Sequence, residues 1–206
     1  VVNQISKTKK NNIVIIKSTV PPGTTKKLIH QHPETQILFS PEFLTEANYL
    51  NDFIDCNRVI LGGNQEACLK AINVFKKVFP SKKYIHTDST TAEMIKYTAN
   101  TFLATKVSFS NEIYDICSKI QVDYDKVAEC VVLDRRLGSS HWLVPGPDGQ
   151  RGFGGSCFPK DINALIKFAE TVNVEPTVLK SVWKKNLQVR PQKDWEKLVG
   201  RAILKE

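Results

Sequence analysis

One stretch of the chain decides the fold: residues 91–120 read TAEMIKYTANTFLATKVSFSNEIYDICSKI, with neither proline nor glycine. Apolar residues recur through it at helical spacing, from Met94 and Tyr97 to Ile113 and Ile116. The pattern predicts one helix of roughly 30 residues, which is long for a compact α/β unit. A helix of this length needs a packing partner, and a second copy of the chain is a natural one. We therefore predict a homodimer built on this helix.

Before this helix, strand and helix signals alternate. Four short apolar runs have the composition of buried strands and lie at residues 13–16, 37–39, 59–61 and 84–85. Helical patterns lie between them at residues 24–32 and 65–79. A further helix is predicted to start at Ser40-Pro41-Glu42, with serine at the N-cap and proline at the first position. Strands that alternate with helices predict a parallel sheet covered on both faces.

The region after the long helix is helical by the same criterion. Its helical patterns lie at residues 123–132, 159–171, 176–189 and 193–204, and a loop rich in glycine, proline and serine spans 137–155. The predicted fold class is therefore α/β, part of a doubly wound domain, followed by an all-α part from about residue 89. A complete dinucleotide-binding domain would need a G-x-G-x-x-G turn and the strands around it. The chain has no such turn, so we expect an N-terminal portion to be missing.

Composition and charge argue against several classes of protein. Of the 206 residues, 41% are hydrophobic, and no apolar run approaches the roughly 20 residues that cross a bilayer. Five cysteines without a CxxC pair suggest free thiols in a reducing compartment, so we expect a cytoplasmic protein. The net charge of +8 comes from scattered lysine pairs rather than a basic stripe, which disfavours nucleic acid as a partner. The four histidines show no ligand spacing, and no metal site is predicted.

Most of the chemical information lies in the segment Gly152-Phe153-Gly154-Gly155-Ser156-Cys157-Phe158-Pro159-Lys160-Asp161. Its glycines let the backbone approach a ligand closely. Pro159 predicts the first position of a helix, which places Cys157 just before a helix N-terminus, where amide N–H groups and the helix dipole favour a thiolate. Lys160 adds a nearby cation. A buried structural cysteine is the alternative, but these surroundings favour a nucleophile.

Two pairs of polar residues are each four positions apart. Glu42 and Glu46 are predicted to share one helix face after the second strand, at the edge of the sheet where α/β proteins bind ligands. Lys96 and Asn100 are predicted to share one face of the long helix, where a lysine and an amide can stabilise an oxyanion. Taken alone, the first pair is more simply explained as acids that stabilise a helix N-terminus, and the second as a solvated face.

Two single residues also admit two explanations. Thr19, at the end of the first strand, could hydrogen-bond a ligand or simply end the strand. Arg136 follows a helix, and a helix C-terminus tolerates cations, but arginine is also the residue best suited to bind phosphate. The residues by themselves leave both alternatives open.

Four motifs, in order along the chain, resemble the UDP-glucose/GDP-mannose dehydrogenase family. They are Lys17-Ser18-Thr19-Val20-Pro21-Pro22-Gly23-Thr24, Ser40-Pro41-Glu42-Phe43-Leu44, Ala92-Glu93-Met94-Ile95-Lys96-Tyr97-Thr98-Ala99-Asn100 and the glycine–cysteine segment. The resemblance runs from residue 1 to about 190. It implies that residues 1–88 are part of a Rossmann-like NAD-binding domain and that 89–190 form a helical central domain that dimerises. Residues 191–206 would then lead toward a C-terminal nucleotide-binding domain.

The resemblance also implies a reaction. The family oxidises C6 of a nucleotide sugar in two NAD-dependent steps, through an aldehyde and then a thioester, to give a uronic acid. The implied catalytic residues are Cys157, Lys96, Asn100, Asp161, Glu42 and Thr19. Cys157 would attack the aldehyde, Lys96 and Asn100 would hold the C6 oxygen, Asp161 would support proton transfer, and Glu42 would assist hydrolysis of the thioester.

Ligand contacts are implied in the same way. The implied substrate-binding residues are Glu42, Phe43, Leu44, Glu46, Lys96, Asn100, Arg136, Gly152, Phe153 and Gly154. The implied cofactor contacts are Thr19, Glu46, Cys157 and Lys160. Among these, Arg136 resembles an arginine that reaches across the dimer to the partner's substrate phosphate.

Several alternatives stay open. The wording of the cysteine segment favours UDP-glucose, while GDP-mannose and N-acetylated sugars are also possible substrates. A non-catalytic dimerisation module that keeps the motifs without a cofactor site is a second hypothesis. A thiol redox protein is disfavoured, because no resolving cysteine lies close in sequence to Cys157. The loop before Gly152 is longer than in many family members, so no role is transferred to residues 139–151.

Overall fold

A computed structural model describes residues 1–7, 12–44 and 48–198. The strands are β1 (Ile13–Ile16), β2 (Gln36–Phe39), β3 (Arg58–Gly62) and β4 (Lys83–Thr87). The helices are α1 (Val2–Ile5), α2 (Thr24–Gln31), α3 (Tyr49–Asp55), α4 (Gln65–Val78), α5 (Ser89–Lys119), α6 (Tyr124–Val131), α7 (Cys157–Thr171) and α8 (Thr177–Val189), followed by a 3₁₀ helix (Asp194–Lys197). All four predicted strands and the long helix are confirmed, with ends that differ by one or two residues.

The four strands form one sheet in the order β1-β2-β3-β4. β1 pairs with β2 in parallel, and β3 pairs with β4 in parallel. β2 and β3 are antiparallel and are joined through a single residue pair, Phe39 with Gly62. The sheet is therefore mixed, and the prediction of a parallel sheet is wrong at this one junction.

Glycines explain how the two strand pairs meet. Gly62 is the last residue of β3, and a Cβ added there would lie 2.6 Å from the Cβ of Ala92. A Cβ on Gly63 would lie 2.6 Å from the Leu38 side chain. Because glycine has no side chain, the backbone can approach closely enough for the carboxyl ends of β2 and β3 to come together.

The sheet has a packed layer on each face. Leu38 and Leu61 pack with residues of α4, whereas their neighbours Phe39 and Ile60 pack with Ala92 at the start of α5. Successive residues of a strand point to opposite faces, which is why adjacent positions join different clusters. The predicted cover on both faces is confirmed.

The chain divides into two compact units, Val1–Tyr97 and Thr98–Glu206, and the division falls within α5. In the second unit, Ala104, Phe153, Ile162 and Val182 form a buried cluster that joins α5, the glycine segment, α7 and α8. Capping fixes the helix starts where the chain supplies a side chain: Asp123 accepts from the second and third amides of α6.

Two predicted helix boundaries are wrong. Residues 40–44 are not helical, because the Ser40 N–H still donates to Ile16 O (2.8 Å) and keeps the chain beside β1. Glu42 therefore lies on no helix, and Glu46, its predicted neighbour, lies outside the described residues. α7 begins at Cys157 rather than at Pro159, so the cysteine is its first residue.

The predicted helix over 193–204 also differs from the structure. Only Asp194–Lys197 are helical, as a 3₁₀ turn that ends at Leu198, and residues 199–206 lie outside the described part of the chain. Among the residues that the structure describes, no helix is long and apolar enough to cross a membrane.

Candidate active site

In the first unit, Lys96 and Glu42 come together. Lys96 projects from α5 and is buried, with 3% of its surface exposed. Its ammonium Nζ donates to the backbone oxygen of Glu42 at 2.6 Å and lies 3.4 Å from Glu42 Oε1. The cation also lies 5.5 Å from the ring centroid of Phe43. A buried ammonium held in this way is a fixed donor, suited to stabilising negative charge on an oxygen.

The second carboxylate oxygen of Glu42 has different surroundings. Oε2 is buried and accepts no hydrogen bond from the described residues, and the same holds for the hydroxyl of Ser40. A small cavity of about 30 Å³ touches both residues, together with Phe43 and Leu44. That volume suits a water molecule and is too small for a sugar. An unpaired carboxylate oxygen beside such a cavity can act as a base toward water.

Phe43 and Leu44, predicted to line a sugar site, lie in the extended segment after β2. The Phe43 ring has the Arg58 guanidinium 4.7 Å from its centroid, and it packs against the cluster of Phe39 and Ala92. Lys17 lines the same cavity. Burial lowers the pKa of Lys17, and the nearby Glu42 carboxylate partly offsets that effect. The contacts of the Phe43 ring with Arg58 and with the cluster of Phe39 and Ala92 therefore hold this segment in place.

Thr19 lies in the loop between β1 and α2, and sequence reasoning overlooked the residue that fixes this loop. Glu93 is completely buried on α5 and accepts hydrogen bonds from the amides of Gly23 (2.5 Å) and Thr25 (2.8 Å). The carboxylate thus binds the N-terminal amides of α2, a favourable place for an anion. The sequence does carry a signal for Glu93, because it is an acidic residue three positions before Lys96, on a helix face that must be buried.

In the second unit, Asp161 joins two other predicted residues. Its carboxylate is buried at 1% exposure. Oδ1 accepts from Lys160 Nζ at 2.6 Å, and Oδ2 accepts from the side-chain amide of Asn100 at 2.6 Å. Both carboxylate oxygens are therefore paired, which is what a buried carboxylate requires. The bond to Asp161 fixes the orientation of the Asn100 side chain, whose amide nitrogen carries a second hydrogen that can donate to another group.

Cys157 lies one helical turn before Asp161. The thiol is exposed, and its Sγ is 3.8 Å from the hydroxyl of Ser156. Residues four apart on a helix share a face, so Cys157 and Asp161 lie on the same side of α7. The sequence predicts Lys160 as a nearby cation for the thiolate. In the structure, its side-chain nitrogen is paired with the carboxylate of Asp161. An exposed thiol on the first turn of a helix remains accessible to an electrophile.

The glycine segment is held by side chains that the sequence analysis did not single out. Its amides at Gly152, Phe153 and Gly155 donate to Asn111, Asn186 and Asp194 respectively, at 3.3, 2.7 and 2.9 Å. These N–H groups are thus already paired within the protein. The sequence gives no local signal for them, because each acceptor lies more than 30 positions away along the chain.

An ion cluster completes this arrangement. Arg190 is buried at 4% exposure and donates to Asp194 Oδ1 (2.6 Å) and Asp148 Oδ2 (2.7 Å). Burial by itself would lower the pKa of Arg190, but its hydrogen bonds to Asp194 and Asp148 outweigh burial and raise it. For Asp194, burial acts to raise the pKa, and the bonds from Arg190 and Gly155 outweigh it and lower it.

Arg136 lies apart from these groups. Its guanidinium is exposed and pairs with Asp134, with Nε to Oδ1 at 2.9 Å and Nη2 to Oδ2 at 2.5 Å. The side chain stays at the surface of the second unit and can exchange this local partner for another anion, because exposed ion pairs contribute little stability.

The predicted residues therefore fall into two groups, which α5 links along its length. Lys96 belongs to the first unit with Glu42 and Phe43, and Asn100, one turn later on α5, belongs to the second with Asp161 and Lys160. A fixed ammonium, an amide held by a carboxylate, an exposed thiol and a partly unpaired carboxylate are the groups that acyl chemistry on sulfur requires.

Comparisons with known proteins match the chain to one family of dehydrogenases. A model of the UDP-glucose/GDP-mannose dehydrogenase family, NAD binding domain, matches residues 1–81, and a model of the central domain of that family matches residues 90–188. The chain is 38% identical to the UDP-glucose 6-dehydrogenase of Rickettsia conorii over 193 residues, which cover 92% of this chain and 43% of that protein.

Two further relatives agree. UDP-glucose 6-dehydrogenase YwqF of Bacillus subtilis is 40% identical over 185 residues, which cover 86% of this chain and 41% of that protein. A solved structure of a UDP-glucose dehydrogenase from Pyrobaculum islandicum superposes with a TM-score of 0.81 at 33% identity, covering 91% of this chain and 44% of that one. The chain thus spans less than half the length of the relatives that it matches.

Proposed function

The chain belongs to the UDP-glucose/GDP-mannose dehydrogenase family, and on that premise we propose that its full-length protein oxidises UDP-glucose to UDP-glucuronate in two NAD-dependent steps. The observation that carries the proposal is the exposed Cys157 one turn before the buried Asp161, whose carboxylate holds Asn100. A structural cysteine would have no need of an exposed position on the first turn of a helix. UDP-glucose is favoured over GDP-mannose because the relatives described above are named for it.

The first unit offers features that fit a bound NAD. β1 and β2 are parallel, and Thr19 and Glu42 lie just beyond their carboxyl ends, where open α/β sheets bind ligands. Ser40 Oγ and Glu42 Oε2 are buried there without a partner among the described residues. We assign cofactor contacts to Thr19, Glu46, Cys157 and Lys160. When bound, NAD⁺ supplies the hydride acceptor for both oxidations.

The thiol of Cys157 performs the covalent step. As a thiolate it adds to the carbonyl carbon of the C6 aldehyde, and the electron pair of the C=O bond moves to oxygen. Lys96 and the Asn100 amide stabilise that oxygen anion, and Asp161 keeps the amide oriented. After the second oxidation the acyl group is a thioester on Cys157.

Water then releases the acid. Glu42 has the carboxylate oxygen that no described residue pairs, so it takes the proton of the attacking water. The C–S bond breaks, the uronic acid leaves and gives its remaining proton to solvent, and Cys157 returns to a thiolate. Further sugar contacts are assigned to Phe43, Leu44 and Glu46, to the segment Gly152–Gly154, and to Arg136 for the substrate phosphate.

The test measures NADH formation from UDP-glucose by the full-length protein. Cys157→Ser should lower the rate by about a thousandfold or more, because no thioester can form. The control is Cys130→Ser, which removes an exposed thiol from α6 and should leave the rate unchanged. The proposal fails if the unaltered protein turns over no nucleotide sugar. A non-catalytic dimerisation module would then be the better description.

A homodimer through α5 is part of the same proposal. Phe102, Phe109 and Ile116 follow one another at seven-residue intervals along α5, and each is more than half exposed, at 63%, 52% and 51%. Seven-residue spacing places them along one stripe of the helix, as at a helix–helix contact. A second copy of the chain is the natural cover for this stripe.

Sedimentation of the full-length protein tests the dimer. Phe102→Glu should weaken association by about a hundredfold, since a buried interface would have to accept a charge. Val74→Glu is the matched control, because Val74 is 65% exposed on α4 and is not part of the stripe on α5. A monomer in the unaltered protein, or a dimer that Phe102→Glu leaves intact, would contradict the proposal. The proposal also includes a cytoplasmic location, an NAD-binding role for residues 1–88 and a dimerising role for residues 89–190.

A further inference from the structure

The glycine segment before Cys157 is gripped by the end of α8 and by the 3₁₀ helix. Asn186, which is completely buried, pairs with both backbone groups of Phe153: Oδ1 accepts from the amide at 2.7 Å, and Nδ2 donates to the carbonyl at 2.9 Å. Such double pairing fixes the orientation of a peptide as one rung of a β-ladder would. Phe153 therefore has no freedom to rotate without breaking two buried hydrogen bonds.

Arg190 and Asp194 contact the segment on both sides of Phe153. Asp194 Oδ2 accepts from the amide of Gly155 at 2.9 Å, two residues before the thiol. Arg190 links Asp194 to Asp148 and also donates to the carbonyl of Arg151 at 3.5 Å. Asn186 lies on α8, Arg190 is the C-cap of that helix, and Asp194 is the first residue of the 3₁₀ helix, so the end of α8 and the start of the 3₁₀ helix both contact the segment. We refer to these three residues as the clamp.

The clamp also gives a reason for the glycines. A Cβ on Gly152 would lie 2.5 Å from Asn186 Oδ1, and a Cβ on Gly154 would overlap the Arg190 guanidinium. The backbone at Gly152 has φ of +70°, a conformation that disfavours other residues. Close approach of the clamp therefore requires glycine at these positions, whether or not a ligand approaches from the other side.

Aromatic contacts join the same elements. The ring centroid of Trp183 on α8 lies 6.2 Å from that of Phe153 and 5.2 Å from that of Trp195 in the 3₁₀ helix. Trp195 is buried at 5% exposure. Two of the three tryptophans of the chain therefore lie on the elements that carry the clamp. Their fluorescence reports on the packing of these elements.

We propose that Asn186, Arg190 and Asp194 are positioning residues that hold the glycine segment in a preformed shape for the nucleotide sugar. This inference rests on the proposed function, since it names what shapes one wall of that site. A segment whose amides are already paired pays no ordering cost when substrate binds. Loosening the clamp should therefore weaken substrate binding far more than it slows the chemical step.

The experiment uses the full-length protein with three variants. Asp194→Asn changes a single atom and can keep only one of the two bonds that Asp194 makes, to Arg190 or to Gly155. Asn186→Ala removes both bonds to Phe153. The control is Lys180→Met on the same helix, because Lys180 pairs only with Glu170 and Glu175 among the described residues and does not touch the segment.

Hydrogen exchange of the peptide that covers residues 148–156 is the first readout. Exchange should rise in both clamp variants and stay unchanged in Lys180→Met. The second readout is steady-state kinetics with UDP-glucose: KM should rise about tenfold in Asp194→Asn, with kcat within about threefold of the unaltered enzyme. Tryptophan emission should shift to longer wavelength as Trp195 becomes solvated. Asp194→Asn keeps the test valid if Asn186→Ala fails to fold.

The outcomes separate the two proposals. Unchanged exchange in Asp194→Asn would overturn the clamp, and so would faster exchange with an unchanged KM. An equal fall in kcat and kcat/KM with constant KM would assign these residues to the chemical step instead. If the unaltered protein turns over no nucleotide sugar, the proposed function fails, and binding of UDP-glucose followed by calorimetry decides the clamp. Equal affinity in the unaltered protein and Asp194→Asn, or no binding at all, would overturn it.

Discussion

The two compact units treat their buried polar atoms differently. In the first unit, the described residues include three buried polar atoms that have no hydrogen-bond partner: Thr25 Oγ1, Ser40 Oγ and Glu42 Oε2. In the second unit, Asp161, Asn186 and Arg190 are equally buried, and each makes at least two polar contacts. Among the described residues of the second unit, His141 Nδ1 is the one buried side-chain polar atom without a hydrogen-bond partner.

Under the proposed function, this contrast assigns a different part of the reaction to each unit. A buried polar atom without a partner costs free energy, on the order of 1–3 kcal/mol, unless a ligand or water completes it. Two of these atoms in the first unit lie at the carboxyl edge of the sheet, where a ligand would supply the missing bonds. The closed networks of the second unit need no ligand, so they set the geometry of Asn100 and of the segment before Cys157 in advance.

The largest expected effect tests the first unit. Lys96→Met should lower kcat by about a hundredfold to a thousandfold, because one fixed donor to the oxyanion is lost. The free energy of unfolding should fall as well, by about 1–3 kcal/mol, because the backbone oxygen of Glu42 loses its donor and the partly buried Glu42 carboxylate loses its cation, but the protein should stay folded. Steady-state kinetics and urea unfolding of the full-length protein measure both quantities. Lys70→Met, which breaks an exposed pair with Glu66 on α4, is the control.

If Lys96→Met unfolded the protein while the remaining folded fraction kept its kcat, the contrast between the units would disappear. Lys96 would then be a structural cation like Arg190, and the first unit would be as closed as the second.

A smaller effect tests the second unit. Asp161→Asn should lower the free energy of unfolding by about 2 kcal/mol, because one amide cannot accept from both Lys160 and Asn100. Urea unfolding measures it. Asp123→Asn is a matched control, since asparagine caps α6 as well as aspartate does. A variant as stable as the unaltered protein would show that this network is not a stabilising element and would remove it from the comparison.

The smallest effect concerns His141, the exception in the second unit. Burial lowers the pKa of His141, and the cation of Lys106 lowers it further. The unfolded chain therefore binds a proton at a higher pH than the folded protein does. The contribution of His141 to the free energy of unfolding should be fully present above the ordinary histidine pKa of about 6.5. It should be lost as the pH falls below that value.

Thermal melting between about pH 5.5 and 7.5 measures this dependence. His141→Asn should flatten it, and asparagine suits the positive φ of +70° at this position. A variant that keeps the full pH dependence of the unaltered protein would assign the effect to another group.

The sequence patterns predicted which strands and helices form more accurately than they predicted where these elements end or how the strands pair. The run at 13–16 is β1 to the residue, and the proline-free stretch is α5, because burial of a strand or of a helix stripe is written in local periodicity. The helix predicted at Ser40 fails because the pairing of that residue with Ile16 overrides its capping chemistry. Pro159 misplaces the start of α7 by two residues, since proline is tolerated throughout a first helical turn.

The candidate site shows the same difference between what local sequence patterns predict and what packing decides. The motif around Cys157 singled out the thiol, Lys160 and Asp161, and the structure joins the last two directly. An acid on the buried face of α5 was a signal for Glu93, but no sequence pattern indicated which loop Glu93 or Asn186 holds, because each binds a backbone group that packing alone brings near.

The sequence by itself determined the succession of elements, the length of α5 and the chemical character of the cysteine segment, since these depend on residues within a few positions of one another. Only the tertiary structure decided that β2 and β3 run antiparallel and that Asn186 grips Phe153 from 33 positions away. Such choices depend on which surfaces pack together. Packing is settled by the shape and burial of distant residues at once, and local periodicity carries no record of it.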